Sequence, residues 1–169
     1  RSIEKVVVVP LVNSRPALAD IRDSVLFGYY LDRDAAPLRF EQLPFDHPLY
    51  IMYSSGTTGV PKCIVHGAGG TVLQHLKENR LLVDLGRDDV FFYFTTCGWM
   101  MWNWLVSGLA TGATLLLYDG SPFASDGTLL LDTIDEESIS VFGTSARFIA
   151  ALEKAGHKPL HSHQLDSLK

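Results

Sequence analysis

The sequence predicts an α/β fold, in which strands and helices alternate and form a mainly parallel sheet. Apolar runs of strand length, rich in β-branched and aromatic residues, are separated by segments with helical periodicity. The chain has 169 residues, of which 47% are hydrophobic, and this suits one domain with a buried core. Strand–helix–strand repetition at this spacing predicts crossover connections, which place neighbouring strands parallel.

The elements follow one another closely after residue 47. The predicted strands cover residues 49–53, 64–66, 90–95, 113–118 and 139–142. The predicted helices follow the glycines at 67–70 and then cover residues 99–109, 128–136 and 145–155. We expect the first helix to bury one apolar face, formed by Val72, Leu73, Leu76 and Val83. We expect Ser145 or Thr144 to cap the last helix.

Residues 1–47 differ in character from the rest. A short apolar run at 6–9 predicts one strand, and the prolines and charged residues that follow predict mostly irregular structure. We therefore expect an irregular segment with one short strand at 1–47, belonging to the same domain as residues 48–169. The sequence starts without Met and without a signal peptide, so we expect it to be part of a longer protein.

Charge and cysteine content exclude several classes of function. The 14 basic and 19 acidic residues give a net charge of −5, which argues against binding to nucleic acid or to an anionic membrane. Cys63 and Cys97 are far apart, so we expect no disulfide and no thiolate zinc site, as is typical of a reducing cytoplasm. Residues 90–118 carry no charge, but their glycines and threonines predict a buried core and not a membrane span.

The segment at 53–62, Tyr-Ser-Ser-Gly-Thr-Thr-Gly-Val-Pro-Lys, contains the clearest chemical signal. Its glycines let backbone N–H groups approach an anion, its hydroxyls donate further hydrogen bonds, and Lys62 adds a positive charge. Lys62 is also the only Asp, Glu, Lys or Arg between Asp46 and Lys77. The pattern favours a phosphate-binding loop over the alternative, a polar hairpin loop with a solvated lysine. It is not a Walker loop, because Pro61 separates Gly59 from Lys62.

This segment resembles the phosphate-binding signature of the adenylate-forming enzymes, which include acyl-CoA synthetases, luciferases and the adenylation domains of peptide synthetases. Residues 64–70 are similar to the acetyl- and propionyl-CoA synthetase branch, and residues 94–104 most resemble the acetoacetyl-CoA synthetases. Thr96 stands where acetate-activating relatives carry an acid, which argues against acetate as the substrate. The resemblance implies part of the large N-terminal domain of that fold, about a quarter of a whole enzyme.

The resemblance also implies roles for individual residues. The ATP phosphates would be bound by Ser54, Ser55, Gly56, Thr57, Thr58, Gly59 and Lys62. Lys62 would have the catalytic role of stabilising the pyrophosphate leaving group. Trp99, Met100 and Met101 would line the pocket for the acyl group, and Gly120 and Phe123 belong to a loop that would contact CoA. The enzyme would use ATP, Mg²⁺, CoA and acetoacetate, with the adenine, ribose and magnesium sites outside these residues.

Several alternatives stay open. The Trp/Met-rich segment at 99–101 could be core packing, the substrate could be another short or medium carboxylic acid, and the chain could be a non-catalytic phosphate- or nucleotide-binding module. We expect the histidines at 157, 161 and 163 to lie at the surface and not to bind a metal. We expect His66 to be structural at least as readily as catalytic, and Glu136 and Glu137 to be a solvated helix end.

Overall fold

The computed structural model describes residues 2–54 and 59–169, and it divides into two compact units, Arg1–Gln42 and Leu43–Lys169. In the first unit, strand β1 (Val6–Val8) pairs in parallel with β2 (Ser24–Leu26), and the short helix α1 (Phe27–Tyr30) follows. The expectation of a single strand in residues 1–47 is therefore wrong. A lone strand leaves its backbone groups without partners, and β2 supplies them. That residues 1–47 and 48–169 form one domain stays a prediction.

The second unit begins with a β-hairpin. Strand β3 (Pro48–Ser54) pairs with the antiparallel strand β4 (Lys62–Gly67), and helix α2 (Ala68–Lys77) follows directly. A π-helical turn, Glu78–Leu82, extends α2. The hairpin is the antiparallel part of a fold that is otherwise parallel in the described residues.

A three-stranded parallel sheet forms the centre of this unit, as the alternation of elements predicts. Strand β5 (Val90–Tyr93) lies between β6 (Thr114–Leu116) and β7 (Val141–Gly143). Helix α3 (Met100–Ser107), extended by a 3₁₀ turn at Gly108–Thr111, connects β5 to β6. Helix α4 (Leu129–Glu137) connects β6 to β7, and helices α5 (Ala146–Lys154) and α6 (Pro159–Ser162) follow.

Two adjacent phenylalanines of β5 hold the layers together. Phe91 packs with Leu105 of α3, and Phe92 packs with Ile134 of α4 and Phe148 of α5. Successive side chains of a strand point to opposite faces, so β5 anchors a separate helical layer on each side of the sheet. Phe91 and Phe92 are 0% and 1% exposed, which places them at the centre of the core.

The orientation of α2 differs from the prediction. Of the four residues expected on the buried face, Leu76 and Val83 are half-buried, but Val72 and Leu73 are exposed, whereas Thr71 and Asn79 are buried. In the π-helical turn that extends α2, the Asn79 amide donates to Ser107 Oγ of α3, so the inward face includes a polar contact that the apolar pattern does not predict. The expected cap of α5 is confirmed, because Ser145 Oγ accepts a hydrogen bond from Phe148 N.

Residues 90–118 fold as a strand, a helix and a strand within this core. Across residues 2–54 and 59–169, the helices are too short or too polar to cross a membrane.

Candidate active site

The two ends of the predicted phosphate loop meet where the hairpin closes. Ser54, the last residue of β3, is the cross-strand partner of Lys62, the first residue of β4. Gly59 has a φ of +114°, a backbone conformation that residues other than glycine rarely adopt. Four predicted site residues lie outside the described residues, namely Ser55, Gly56, Thr57 and Thr58.

The side chains at these two ends suit an anion. Ser54 is half-buried and Lys62 is exposed, so a hydroxyl and an ammonium group lie on neighbouring strand ends. The ion pairs found among the described residues do not include Lys62. A lysine without a carboxylate partner at the mouth of a glycine-containing loop can bind a phosphate group.

A cavity of about 670 Å³ lies beside β3, the strand that directly precedes the loop in the sequence. One wall is β3, and the other is the segment that leads into α3 and the first turn of that helix. Its lining residues are Leu49, Tyr50, Ile51, Met52, Tyr53, Cys97, Gly98, Trp99, Met100 and Asn103. Its lining combines aliphatic and aromatic side chains with polar groups that can orient a small molecule.

A second cavity, of about 400 Å³, lies at the carboxyl ends of β5 and β6. Its lining residues are Phe94, Thr95, Thr96, Cys97, Trp102, Leu117, Tyr118, Asp119 and Gly120. Cys97 lines both cavities, so the two are neighbours. In open α/β sheets, ligands bind beyond the carboxyl ends of the strands, and this cavity has that position.

The structure brings together some of the predicted pocket residues. Trp99 and Met100 line the first cavity and Gly120 lines the second. Met101 is half-buried on α3 and lines neither cavity. Phe123 also lines neither, and its ring packs against Phe148 with the centroids 5.8 Å apart.

Sequence reasoning missed several cavity residues, among which Asn103 and Met52 are in direct contact. Asn103 Nδ2 lies 3.4 Å from Met52 Sδ, which joins α3 to β3. Asn103 lies three positions after Met100, on the same face of α3. A polar residue in the otherwise apolar run 99–106 is the signal that could have identified it.

The histidine next to the hairpin affects a neighbour on α2. His66 is on β4, opposite Tyr50 of β3. Burial lowers the pKa of His75, and the nearby His66 lowers it further, while Glu78 acts in the opposite direction. His75 is therefore held in its neutral form more strongly than a solvent-exposed histidine would be.

The three late histidines do not converge. His157 Nε2 lies 2.9 Å from the backbone oxygen of Asp126, and His163 Nε2 lies 2.9 Å from Asp132 Oδ1. The side chain of His163 is only 8% exposed and pairs with Asp132 of α4, so its predicted surface position is wrong. Within residues 2–54 and 59–169, three or more His, Cys, Asp or Glu side chains do not gather into a metal-binding group.

A buried carboxylate lies at the opposite end of β5 from the cavities. Asp89 accepts hydrogen bonds from Gly86 N at 2.6 Å, Ser140 Oγ at 2.7 Å and Lys169 Nζ at 2.8 Å. Burial would raise the pKa of Asp89, but the hydrogen bonds from Lys169, Ser140 and Gly86 outweigh it and lower that pKa below its ordinary value. Asp89 is thus a structural group that ties three segments together.

Comparison with known proteins decides the family. The family model described as AMP-binding enzyme matches residues 5–169. The chain belongs to the AMP-binding enzyme family. This confirms the resemblance of residues 53–62 to adenylate-forming enzymes.

Individual members of this family are closely similar to the chain. The acetoacetyl-coenzyme A synthetase of Rhizobium meliloti is 57% identical over 165 residues, which is 96% of this chain and 25% of that protein. The malonamoyl-CoA synthetase of Penicillium aethiopicum is 53% identical over 132 residues, 72% of this chain and 18% of that protein. The solved acetoacetyl-CoA synthetase from Streptomyces lividans matches with a TM-score of 0.85 and 42% identity, covering 98% of this chain and 25% of that one. These two acetoacetyl-CoA synthetases match nearly the whole chain, but the chain spans only about a quarter of their length.

Proposed function

We propose that the chain is the phosphate- and acid-binding part of an ATP-dependent acetoacetate:CoA ligase that forms AMP. The observation that carries this proposal is the position of the first cavity. Residues 49–53 of β3 line it, and Ser54, the next residue, begins the phosphate loop. A small acid in the cavity would thus lie beside a nucleotide phosphate at the loop.

The proposed reaction has two steps. In the first, a carboxylate oxygen of the acid attacks the α-phosphorus of ATP, and the bond to pyrophosphate breaks. Ser54, the loop residues 55–59 and Lys62 would bind the β- and γ-phosphates, and Lys62 would stabilise the charge that develops on the departing pyrophosphate. In the second, the CoA sulfur attacks the acyl carbon and AMP leaves.

Two further sets of residues have proposed roles in the acid and CoA sites. Trp99 and Met100 shape the acyl pocket, supported by their place in the first cavity, and Met101 backs them from α3. Gly120 and Phe123 border the path of CoA, supported by the place of Gly120 at the carboxyl edge of the sheet. Nucleoside triphosphates carry Mg²⁺, but in residues 2–54 and 59–169 three or more His, Cys, Asp or Glu side chains do not gather into one group, so we assign the ion no ligand here.

Acetoacetate is the proposed substrate because the similar proteins named for acetoacetyl-CoA cover nearly the whole chain. The malonamoyl-CoA synthetase adds a chemical constraint. Acetoacetate and malonamate are short acids with a carbonyl group on C3, so this is the substrate class we propose. The alternatives are another short or medium acid, or a phosphate-binding module without catalysis.

The proposed partners are small molecules. The net charge of −5 supports neither nucleic acid nor an anionic membrane as a partner, and the separated cysteines support a cytoplasmic location.

The test is pyrophosphate release by the full-length protein that contains this chain. We expect turnover with acetoacetate or malonamate that exceeds turnover with acetate. Equal kcat/KM for acetate and acetoacetate would contradict the proposed substrate class. ATP–pyrophosphate exchange by residues 1–169 alone should be absent, because positioning of both substrates supplies up to about 7–11 kcal/mol and most of the site lies elsewhere. No acid-dependent activity in the full-length protein would favour the non-catalytic module.

A further inference from the structure

Asn103 is the carboxamide among the residues that line the first cavity. It is half-buried on α3 and lines the first cavity together with Met52, Trp99 and Met100. Its neighbour Leu105 is 2% exposed and packs with Phe91, so the helix that carries Asn103 is anchored in the core. A side chain on an anchored helix holds its position better than one on a loop.

Among residues 2–54 and 59–169, the hydrogen-bonding capacity of Asn103 is largely unused. A carboxamide has two N–H donors and one oxygen acceptor. Within the part of the chain that the structure describes, its one hydrogen bond runs from Nδ2 to Met52 Sδ at 3.4 Å. A thioether is a weak acceptor, so exchanging this bond for one to a carbonyl oxygen would be favourable.

The other polar groups of the cavity are less suited to this role. Tyr53 is 71% exposed, and Cys97, also exposed, carries only a weak donor. Tyr50 is half-buried and shares the face of β3 with Met52, which makes its hydroxyl the competing donor. Asn103 differs from Tyr50 in lying on the same face of α3 as Met100, one of the proposed acyl-pocket residues.

We propose that Asn103 determines substrate specificity, because its side-chain amide donates a hydrogen bond to the C3 carbonyl oxygen of the acid. The inference rests on the proposed function and names the group by which the enzyme separates a 3-oxo acid from a plain fatty acid of equal length. A site built around such a donor rejects an analogue that lacks the acceptor, because the donor is then left unpaired in the cavity. The amide would thus determine the chemical class of the acid, and the aliphatic and aromatic side chains of the cavity would limit its length.

The experiment compares acetoacetate with butyrate, which has a methylene group in place of the C3 carbonyl. The full-length protein and its Asn103→Leu variant are assayed for kcat/KM with both acids. The variant should reduce the acetoacetate-to-butyrate ratio about 10- to 100-fold, the range for loss of one hydrogen bond. Asn103→Asp is the second variant, since an ionised carboxylate of the same size cannot donate, and it should change the ratio in the same direction.

Two further variants separate specificity from structure. Met52→Leu removes the sulfur that contacts Asn103, and Tyr50→Phe removes the competing hydroxyl; both should leave the ratio within threefold of the parent. If Met52→Leu lowers the ratio as much as Asn103→Leu, Asn103 acts by holding β3, and the inference is overturned. A fall in the ratio for Tyr50→Phe alone would assign the donor to Tyr50 instead.

The parent protein distinguishes this inference from the proposed function. A parent that uses acetoacetate no better than butyrate contradicts the proposed substrate class. A parent that prefers acetoacetate, combined with Asn103 variants that keep that preference, contradicts the inference alone.

Discussion

The parallel sheet and the β3–β4 hairpin are built from similar residues but have opposite environments. Phe92 of β5 is 1% exposed, whereas Ile51 and Tyr53 of β3 are 60% and 71% exposed. The sheet is covered by helices on both faces, and the hairpin carries the proposed phosphate loop and one wall of a cavity. Stability in this chain is thus concentrated in the sheet, and the proposed chemistry lies on a strand pair next to it.

This separation has a physical reason. A phosphate loop must present its donors to a ligand, so it cannot be packed inside a core. The segment that leads into α3 joins the two regions, because it begins beyond the carboxyl end of β5 and forms the wall opposite β3. Substitutions should therefore affect stability in one region and activity in the other.

The largest effect is expected at the centre of the sheet. Phe92→Ala removes a fully buried ring between α4 and α5 and should destabilise the full-length protein by about 3–5 kcal/mol. Urea unfolding measures the change. Val60→Ala, at a loop position that is 87% exposed, is the control and should change stability by no more than about 0.5 kcal/mol. An equal loss of unfolding free energy in the two variants would contradict the conclusion that stability is concentrated in the sheet.

The next effect tests the hairpin. Lys62→Ala should raise the activation barrier of adenylation by about 3 kcal/mol, which slows the step roughly a hundredfold. The reason is that the variant lacks the charged donor that would stabilise the leaving group. Its free energy of unfolding should change by no more than about 0.5 kcal/mol, since the side chain is exposed. Single-turnover pyrophosphate release measures the adenylation rate, and urea unfolding measures the free energy of unfolding. Lys77→Ala on α2 is the matched control, and an equal loss of rate there would remove the special role of Lys62.

A moderate effect is expected from the carboxylate at the amino end of β5. Asp89→Asn keeps the shape but weakens the charged hydrogen bonds with Lys169 and Ser140, at a cost of about 1–3 kcal/mol. The folded protein lowers the pKa of Asp89, so its stabilising contribution is present above the ordinary aspartate pKa and is lost as pH falls through the lower, folded value. Unfolding free energies measured below about pH 4 should therefore decline less steeply in Asp89→Asn than in the parent. Parallel pH profiles would contradict this role.

The smallest effect is expected at His75, between the two regions. Burial and the nearby His66 lower its pKa in the folded state. Below the ordinary histidine pKa of about 6.5, the unfolded chain takes up a proton that the folded one does not, so stability falls as pH decreases toward the folded value. His75→Gln should flatten that part of the unfolding profile. His161→Gln, at an exposed position of α6, is the control and should leave the profile unchanged. A profile that is flattened by His161→Gln and not by His75→Gln would contradict the role of His75.

The sequence by itself determined the order of elements in residues 48–169 and the chemical character of the loop. The runs at 90–95 and 113–118 contain the observed strands β5 and β6, and the run at 139–142 overlaps β7, because period and residue type are local properties. The glycines, hydroxyls and Lys62 of residues 53–62 likewise identify the family without reference to any contact.

Only the tertiary structure decided which distant residues meet. Asn103 contacts Met52 across 51 positions of sequence, and His163 pairs with Asp132 across 31. The same holds for α2 and the turn that extends it, where Asn79 contacts Ser107 while Val72 and Leu73 are exposed. Periodicity describes a segment by itself, whereas the face that is buried and the residues that line a cavity depend on the partner that packs against it.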